Sequence, residues 1–255
     1  MEMYDNPKHV KDTFTEGNLS EYLLQAQWAE FIELKKAILE IYKRKKSQLS
    51  ILDIGIGNAR ILKHLSGIAE LWNAIKHYDG IDVAQKCINI STKVAKDLKI
   101  SNKISVKLLN AINLNKLKRK YDIVICTWFT AGNFYPFNFN FKKFTPGYDM
   151  SHNDKFTTIF KQAYKLLNPN GEIIIGSAYV DNDETRKKQE DSFRRFGWTI
   201  ITDKRDCFTA TKDGWWSQRF TKKRIYDYLN FIPKKKISFI PLDTYDYAMM
   251  IRIKK

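Results

Sequence analysis

Cysteine is scarce in this chain of 255 residues. The three cysteines, Cys87, Cys126 and Cys207, are far apart, odd in number and nowhere spaced as C-x-x-C. Neither a disulfide framework nor a structural zinc site fits that pattern, so we expect no metal. Unpaired cysteines are typical of proteins in a reducing compartment, and we therefore expect a cytoplasmic location.

Long hydrophobic runs are also missing. No stretch reaches the roughly 18 consecutive apolar residues that a transmembrane helix requires. The polar, acidic first residues are unlike a secretory signal. The chain is nevertheless 44% hydrophobic and 14% aromatic, which is typical of a globular protein with a substantial core. We expect a single domain over residues 1–255 that does not contact a membrane.

Acidic residues are few beside basic ones. There are 28 Asp and Glu against 44 Lys and Arg, which gives a formal net charge of +16. Such an excess can attract RNA or another polyanion. Most of the basic residues, however, are lysines spread along the chain, whereas the recognition of phosphates and bases favours arginine. This distribution favours a solvated surface, and RNA binding stays an alternative.

The glycine-rich turn at residues 55–60 lacks a third glycine. Residues 51–54 form a short apolar run with one acidic residue, Asp53, which is typical of a buried strand; Gly55 and Gly57 then turn the chain, and a helical pattern follows. A strand that leads through glycines into a helix can cradle a nucleotide. The dinucleotide fingerprint G-x-G-x-x-G needs a glycine where Arg60 stands, so a dinucleotide ligand is excluded.

The same turn resembles the first motif of class I S-adenosylmethionine (SAM) methyltransferases, D/E-x-G-x-G-x-G/A. The matching residues are Asp53, Gly55, Gly57 and Ala59. In that family the loop wraps the methionine part of the cofactor. The resemblance therefore implies SAM as the cofactor, with its methionine part held by Asp53, Gly55, Gly57 and Asn58.

Two later segments are similar to further motifs of this family. Residues 80–82, Gly-Ile-Asp, resemble the second motif, whose acid binds the ribose hydroxyls at the end of a strand. Asp82 could instead cap the helix that begins at Ala84. Residues 121–122, Tyr-Asp, open an apolar strand like that of the fourth motif. The resemblance implies the remaining cofactor contacts: Asp82 and Val83 at the ribose, Asn110 and Ala111 at the adenine, Thr127 and Trp128 at the floor of the pocket.

The resemblance also implies the fold. It is an α/β fold with a seven-stranded, mostly parallel, doubly wound sheet that ends in an antiparallel hairpin at residues 237–253. Helical spacing predicts an N-terminal helix that begins near Asn18 or Ser20 and forms an extension at residues 1–48. The alternation of strands and helices is interrupted over residues 178–220, which predicts a small cap insertion.

Aromatic residues follow the fourth strand and recur in the cap. Gly132 and Asn133 predict a turn with positive φ, and tryptophan faces can stack on a cation or a planar acceptor. Asn133, Tyr135, Trp215 and Trp216 are therefore the candidate residues for binding the methyl acceptor. The two tryptophans could equally pack the cap onto the sheet.

The expected function is methyl transfer from SAM to a nitrogen or oxygen nucleophile, first of all on a small molecule. No D/N-P-P-Y/F sequence follows the fourth strand, which argues against amino methylation of adenine or glutamine, and no Pro-Cys pair occurs, which argues against cytosine C5 chemistry. Two alternatives stay open: an RNA methyltransferase, including one for mRNA cap guanine, and a non-catalytic SAM-fold binding subunit. Transfer from a sulfonium needs no obligatory base, so we assign no catalytic residue.

Overall fold

The computed structural model describes residues 21–242 and 246–255. The expected helix caps Asn18 and Ser20 lie outside these ranges. In the described part of the chain a central sheet lies between two layers of helices, and none of these helices is long and apolar enough to cross a membrane.

The helices and strands follow each other in mixed order along the chain. The helices are α1 (Glu21–Lys45), α2 (Arg60–Ser66), α3 (Ala69–Ala74), α4 (Gln85–Asp97), α5 (Asp154–Leu166), α6 (Asp183–Arg195) and α7 (Lys222–Tyr228). The strands are β1 (Leu49–Ile54), β2 (Ile75–Asp82), β3 (Ile104–Leu108), β4 (Tyr121–Cys126), β5 (Leu167–Val180), β6 (Phe208–Ala210), β7 (Trp216–Phe220), β8 (Ile237–Pro241) and β9 (Ala248–Lys254). Short 3-10 turns cover Ala111–Lys116, Thr130–Asn133 and Lys234–Lys236.

Seven of these strands form the expected sheet. Strands β3, β2, β1, β4 and β5 lie side by side and run parallel. Strand β9 pairs antiparallel with β5, and β8 pairs antiparallel with β9. The prediction of a mostly parallel sheet with a C-terminal antiparallel hairpin is confirmed.

The described residues add two strands to the predicted seven, so that the sheet holds nine. The additional strands, β6 and β7, form an antiparallel hairpin within the predicted cap region. Strand β7 pairs with the last residues of β5, Tyr179 and Val180. Strand β9 pairs with one side of β5, and β4 pairs with the other side as far as the pair Cys126–Ile175. Strand β7 therefore pairs with β5 on the same side as β4, beyond the point where β4 ends. The hairpin therefore lies beyond the carboxyl end of β4.

The core is divided by the sheet. On one face α1 and α2 bury Leu34, Ile38 and Leu62, and on the other face α5 and α7 bury Phe156 and Tyr228. Strand β1 is buried on both faces, as expected of a central parallel strand. The carboxyl ends of the parallel strands thus meet at one edge, where open α/β sheets bind their ligands.

Candidate active site

A cavity of about 490 Å³ opens at the carboxyl ends of β1, β2 and β4. The structure brings together every site residue predicted from the sequence except Trp215. The predicted residues that line the cavity are Asp53, Gly55, Gly57, Asn58, Asp82, Val83, Asn110, Ala111, Thr127, Trp128, Asn133, Tyr135 and Trp216.

The loop after β1 is held by main-chain hydrogen bonds. The N–H groups of Gly55 and Ile56 both donate to the carbonyl of Ile81, at 2.9 and 3.0 Å. Gly55 has φ +78°, and a Cβ there would lie 2.6 Å from Cγ2 of Thr130. Only glycine allows both this backbone conformation and this close approach. The amide oxygen of Asn58 accepts from Arg60 N at 3.2 Å at the start of α2.

Asp82 fixes the same loop from β2. Its Oδ2 accepts from Gly57 N at 3.0 Å, and its Oδ1 accepts from Ala84 N at 2.9 Å. The helix begins at Gln85, so the bond from Ala84 N lies just before its first turn, and the carboxylate also borders the cavity. A carboxylate oxygen can accept more than one hydrogen bond, so these contacts leave Asp82 able to meet a ligand hydroxyl.

Asp53 is buried at the end of β1, where it accepts a hydrogen bond of 2.5 Å from the hydroxyl of Tyr78. Its other oxygen, Oδ1, is buried and has no hydrogen-bond partner among the described residues. Burial raises the pKa of this carboxyl to about 7, against a lowering effect of the Tyr78 hydrogen bond and the Arg60 charge. An unpartnered carboxyl oxygen in the wall of a cavity is suited to an ammonium group of a ligand.

Glu30 on α1 is a central residue of this edge that the sequence analysis missed. It is fully buried, its Oε1 accepts from Arg60 Nη2, and its Oε2 accepts from Trp128 N at 2.8 Å. A Cβ on Gly176 would lie 2.6 Å from Oε2, so only glycine fits beside this carboxylate. A signal was available: Glu30 interrupts the stripe of buried residues on α1 that contains Ala26 and Leu34.

Arg60 occupies the position where a dinucleotide site would have glycine. Its guanidinium lies 5.2 Å from the ring centre of Trp128, and its side chain is 12% exposed. Nη1 is buried and makes no hydrogen bond with the described residues. Arg60 and Asp53 thus both line the cavity. Arg60 Nη1 is a hydrogen-bond donor without a described partner, and Asp53 Oδ1 is an acceptor without one.

The loop after β4 contains strained backbone. Trp128 has φ 51° and Phe129 has φ 59°, which are uncommon for residues with a side chain. The positive φ predicted at Gly132 and Asn133 is wrong, because these residues belong to a 3-10 turn. The turn of the chain falls earlier, where Trp128 N bonds to Glu30 and the Phe129 ring stacks on Tyr179 at 3.6 Å.

The two adjacent tryptophans of the cap lie in different places. Trp216 borders the cavity, whereas Trp215 stacks on Trp198 at 4.3 Å and packs against Phe193. Trp215 therefore lies outside the cavity wall, apart from the other residues predicted to bind the acceptor. Successive side chains of an extended chain point to opposite sides, and this separates the pair.

Asn110 also has a local role. Its side-chain oxygen accepts from Ile112 N at 3.1 Å and caps the turn Ala111–Lys116 beside the cavity. Within the described ranges, no group of three or more His, Cys, Asp or Glu side chains could hold a metal ion.

Comparison with known families decides what kind of protein this is. A family model described as a methyltransferase domain matches residues 45–231. The chain belongs to this methyltransferase family. Its fold is that of the class I methyltransferases. No protein of curated function matches the sequence.

Solved structures show the same fold at low identity. A SAM-dependent methyltransferase from Clostridium acetobutylicum ATCC 824 is 13% identical, with a TM-score of 0.57 over 99% of each chain. Magnesium protoporphyrin IX methyltransferase from Synechocystis PCC 6803, solved with bound SAH, is 12% identical, with a TM-score of 0.56 over 99% of this chain and 94% of that one. These likenesses establish the architecture of this methyltransferase.

We expect the buried ion pair of the methyltransferase to be essential for its stability. Glu30→Gln leaves the Arg60 cation without a counter-charge in a buried position, which costs about 3 kcal/mol or more of unfolding free energy. Urea denaturation measures this change. Glu33→Gln on the same helix is the matched control: it removes an exposed pair with Lys36 and is expected to change stability by less than about 1 kcal/mol. Equal losses in the two variants would contradict this account of Glu30.

The pKa of Asp53 predicts a pH dependence of stability. Burial raises this pKa in the folded protein from 3.8 to about 7, so folding favours the protonated carboxyl. Its contribution to stability is complete below the unfolded value of 3.8 and is lost as the pH rises through about 7. Between pH 3.8 and about 7, the free energy of unfolding of the cofactor-free wild type should therefore fall relative to that of Asp53→Asn.

Urea unfolding of both proteins at a series of pH values measures this difference. Tyr78→Phe is the matched control, because the Tyr78 hydroxyl lowers the pKa of Asp53 and its loss should move the window to higher pH. Parallel stability curves for wild type and Asp53→Asn would show that Asp53 is an ordinary ionised carboxylate.

Proposed function

We propose that this methyltransferase transfers the methyl group of SAM to a nitrogen or oxygen nucleophile of a small molecule. The observation that carries the proposal is the cavity of about 490 Å³, with Asp53 and Asp82 in one part of its wall and the aromatic residues Tyr135 and Trp216 in another. Its volume lies in the range of pockets that enclose small ligands, about 300–1,000 Å³. One enclosed space can thus hold a cofactor and a compact acceptor together.

The unpartnered atoms of the wall support a placement for the cofactor. The α-ammonium group of SAM would meet Asp53 Oδ1, and its α-carboxylate would meet Arg60 Nη1, since both atoms are buried and lack partners among the described residues. The main chain of Gly55, Gly57 and Asn58 would hold the rest of the methionine part. The other predicted contacts complete the placement: Asp82 and Val83 at the ribose, Asn110 and Ala111 at the adenine, Thr127 and Trp128 at the floor of the pocket.

For this reaction the main task of the protein is to orient the two reactants. The cofactor supplies a methyl group on a sulfonium, which is a good leaving group. SAM held by these residues would supply its methyl group to the nitrogen or oxygen lone pair of the acceptor and would leave as SAH, and the proton of the acceptor would pass to solvent. Aligned reactants can lower the barrier by about 7–11 kcal/mol. The walls at Trp128 and Tyr135 would hold the acceptor in line and keep water away.

We also propose a single domain over residues 1–255, with an N-terminal extension at 1–48 and a cap insertion at 178–220, each of which contributes described residues to the cavity wall. Gln27 of α1 lies in the cavity wall, and so do Gly214 and Trp216 of the cap region. The Glu30–Arg60 ion pair and the pairing of β7 with β5 attach these two parts to the sheet.

Calorimetry with S-adenosylhomocysteine (SAH) tests the cofactor placement. We expect the wild type to bind and Asp82→Ala to bind at least about tenfold more weakly, because a hydrogen bond to a charged group contributes about 1.5–3 kcal/mol. Asp79→Asn is the matched control on β2, since Asp79 accepts from Tyr121 and lies outside the cavity wall. Thermal unfolding without SAH shows whether each variant is folded. Unchanged affinity in folded Asp82→Ala would contradict the placement.

RNA is the rival acceptor because of the net charge of +16. Non-specific binding to phosphates weakens steeply with salt. If the wild type binds RNA in about 0.2 M salt and methylates it with SAM, the acceptor is RNA and the small-molecule proposal fails. Loss of RNA binding at that salt, with methylation of a small molecule, supports the proposal.

A further inference from the structure

The residues that the chain after β4 contributes to the cavity wall have a distinct chemistry. Six of them lie in the segment after β4, the first turn of α5 and the cap: Asn133, Tyr135, Phe141, Lys155, Gly214 and Trp216. We call these six residues the acceptor wall. Three of them are aromatic, so the wall offers flat apolar surfaces to a planar ligand.

Lys155 supplies the charge of the acceptor wall. No other described cavity residue that follows Ala111 in the sequence carries a charge. Its ammonium nitrogen lies 4.3 Å from the ring centre of Tyr135, which positions the cation against the aromatic face. The adjacent carboxylate of Asp154 is outside the cavity wall and accepts from Phe137 N at 3.2 Å. A ligand in this part of the cavity therefore meets a positive charge and no lining carboxylate.

Trp216 adds a hydrogen-bond donor. Its side chain is 1% exposed and stacks on Phe208 at 3.8 Å, which fixes the indole ring in the wall. The indole Nε1–H is buried and has no hydrogen-bond partner among the described residues. A buried tryptophan N–H usually has an acceptor, and a ligand in the cavity that Trp216 lines can provide one.

The aromatic rings, the cation and the indole donor of the acceptor wall indicate the chemical class of the acceptor. We propose that the methyl acceptor is a small aromatic molecule with a carboxylate or phosphate group, and that Lys155 and the Trp216 indole N–H bind this anion. The ring of the acceptor packs against Tyr135 and Phe141. This inference rests on the proposed function, because it assigns the acceptor of the same cavity.

Simple fragments test the inference without knowledge of the natural acceptor. Benzoate and phenyl phosphate carry the two anions on one ring, and benzamide and benzylamine are their neutral and cationic counterparts. Saturation-transfer NMR on the SAH complex at millimolar fragment concentrations measures binding. We expect at least one anionic fragment to bind, and the stronger of the two identifies the anion. Absence of binding by both anions, or equal binding of benzamide or benzylamine, overturns the proposal.

Variants locate the bound anion. Lys155→Met should weaken binding of the anionic fragment about tenfold or more, because it removes a charge-assisted hydrogen bond, and Lys155→Arg should retain binding. Trp216→Phe keeps an aromatic ring and removes the donor, so it should weaken the fragment as well. Lys161→Met changes an exposed lysine on the same helix and should leave binding unchanged. Unchanged affinity in Lys155→Met overturns the proposal.

Calorimetry with SAH on the same variants distinguishes a defect in cofactor binding from a defect in acceptor binding. Retained SAH affinity with lost fragment binding in Lys155→Met supports the acceptor site within an intact enzyme. If the wild type itself fails to bind SAH, the proposed function fails and the acceptor inference fails with it. If SAH binds and the anionic fragments do not, the proposed function stands and the inference alone is wrong.

Discussion

The carboxylate of Glu30 is the constraint on which the cavity edge depends. It joins three parts of the chain that are distant in sequence: helix α1, Arg60 after the glycine loop, and the main chain at Trp128 after β4. A buried charge is tolerated only when its partners are all in place. Gly176 leaves the space for it on β5. Glu30 therefore links the helix, both loops and the central strand β5 at the edge of the cavity.

Strain and unsatisfied polar atoms collect at this same edge. Trp128 and Phe129 hold left-handed backbone conformations there, while Asp53 Oδ1 and Arg60 Nη1 lack partners among the described residues. Each feature opposes folding by itself. The opposite edge differs, because the Asp122 carboxylate accepts from Ser50 N, Asn168 and Lys45. The Asp122 carboxylate thus has hydrogen-bond partners at the edge without a cavity, whereas polar atoms beside the cavity lack partners that a ligand can supply.

Local patterns in the sequence predicted most of the fold and most of the cavity wall. The run from Asp53 to Gly57 and the acid at Asp82 could be found because strand, turn and helix follow from neighbouring residues. The Glu30–Arg60 pair could not, since contacts between distant residues depend on how α1 packs on the sheet. Strand β7 was hidden for a similar reason: Ser217, Gln218 and Arg219 are polar yet buried, so no apolar alternation marks it.

The central claim is that the cavity beside β1, β2 and β4 holds SAM in one defined orientation. A crystal structure of the complex with SAH tests it most directly. The account predicts the α-carboxylate at Arg60, the ammonium at Asp53, the ribose at Asp82 and the sulfur directed toward Tyr135. Density for SAH outside this cavity, or in the reverse orientation with adenine at the acceptor wall, would contradict it.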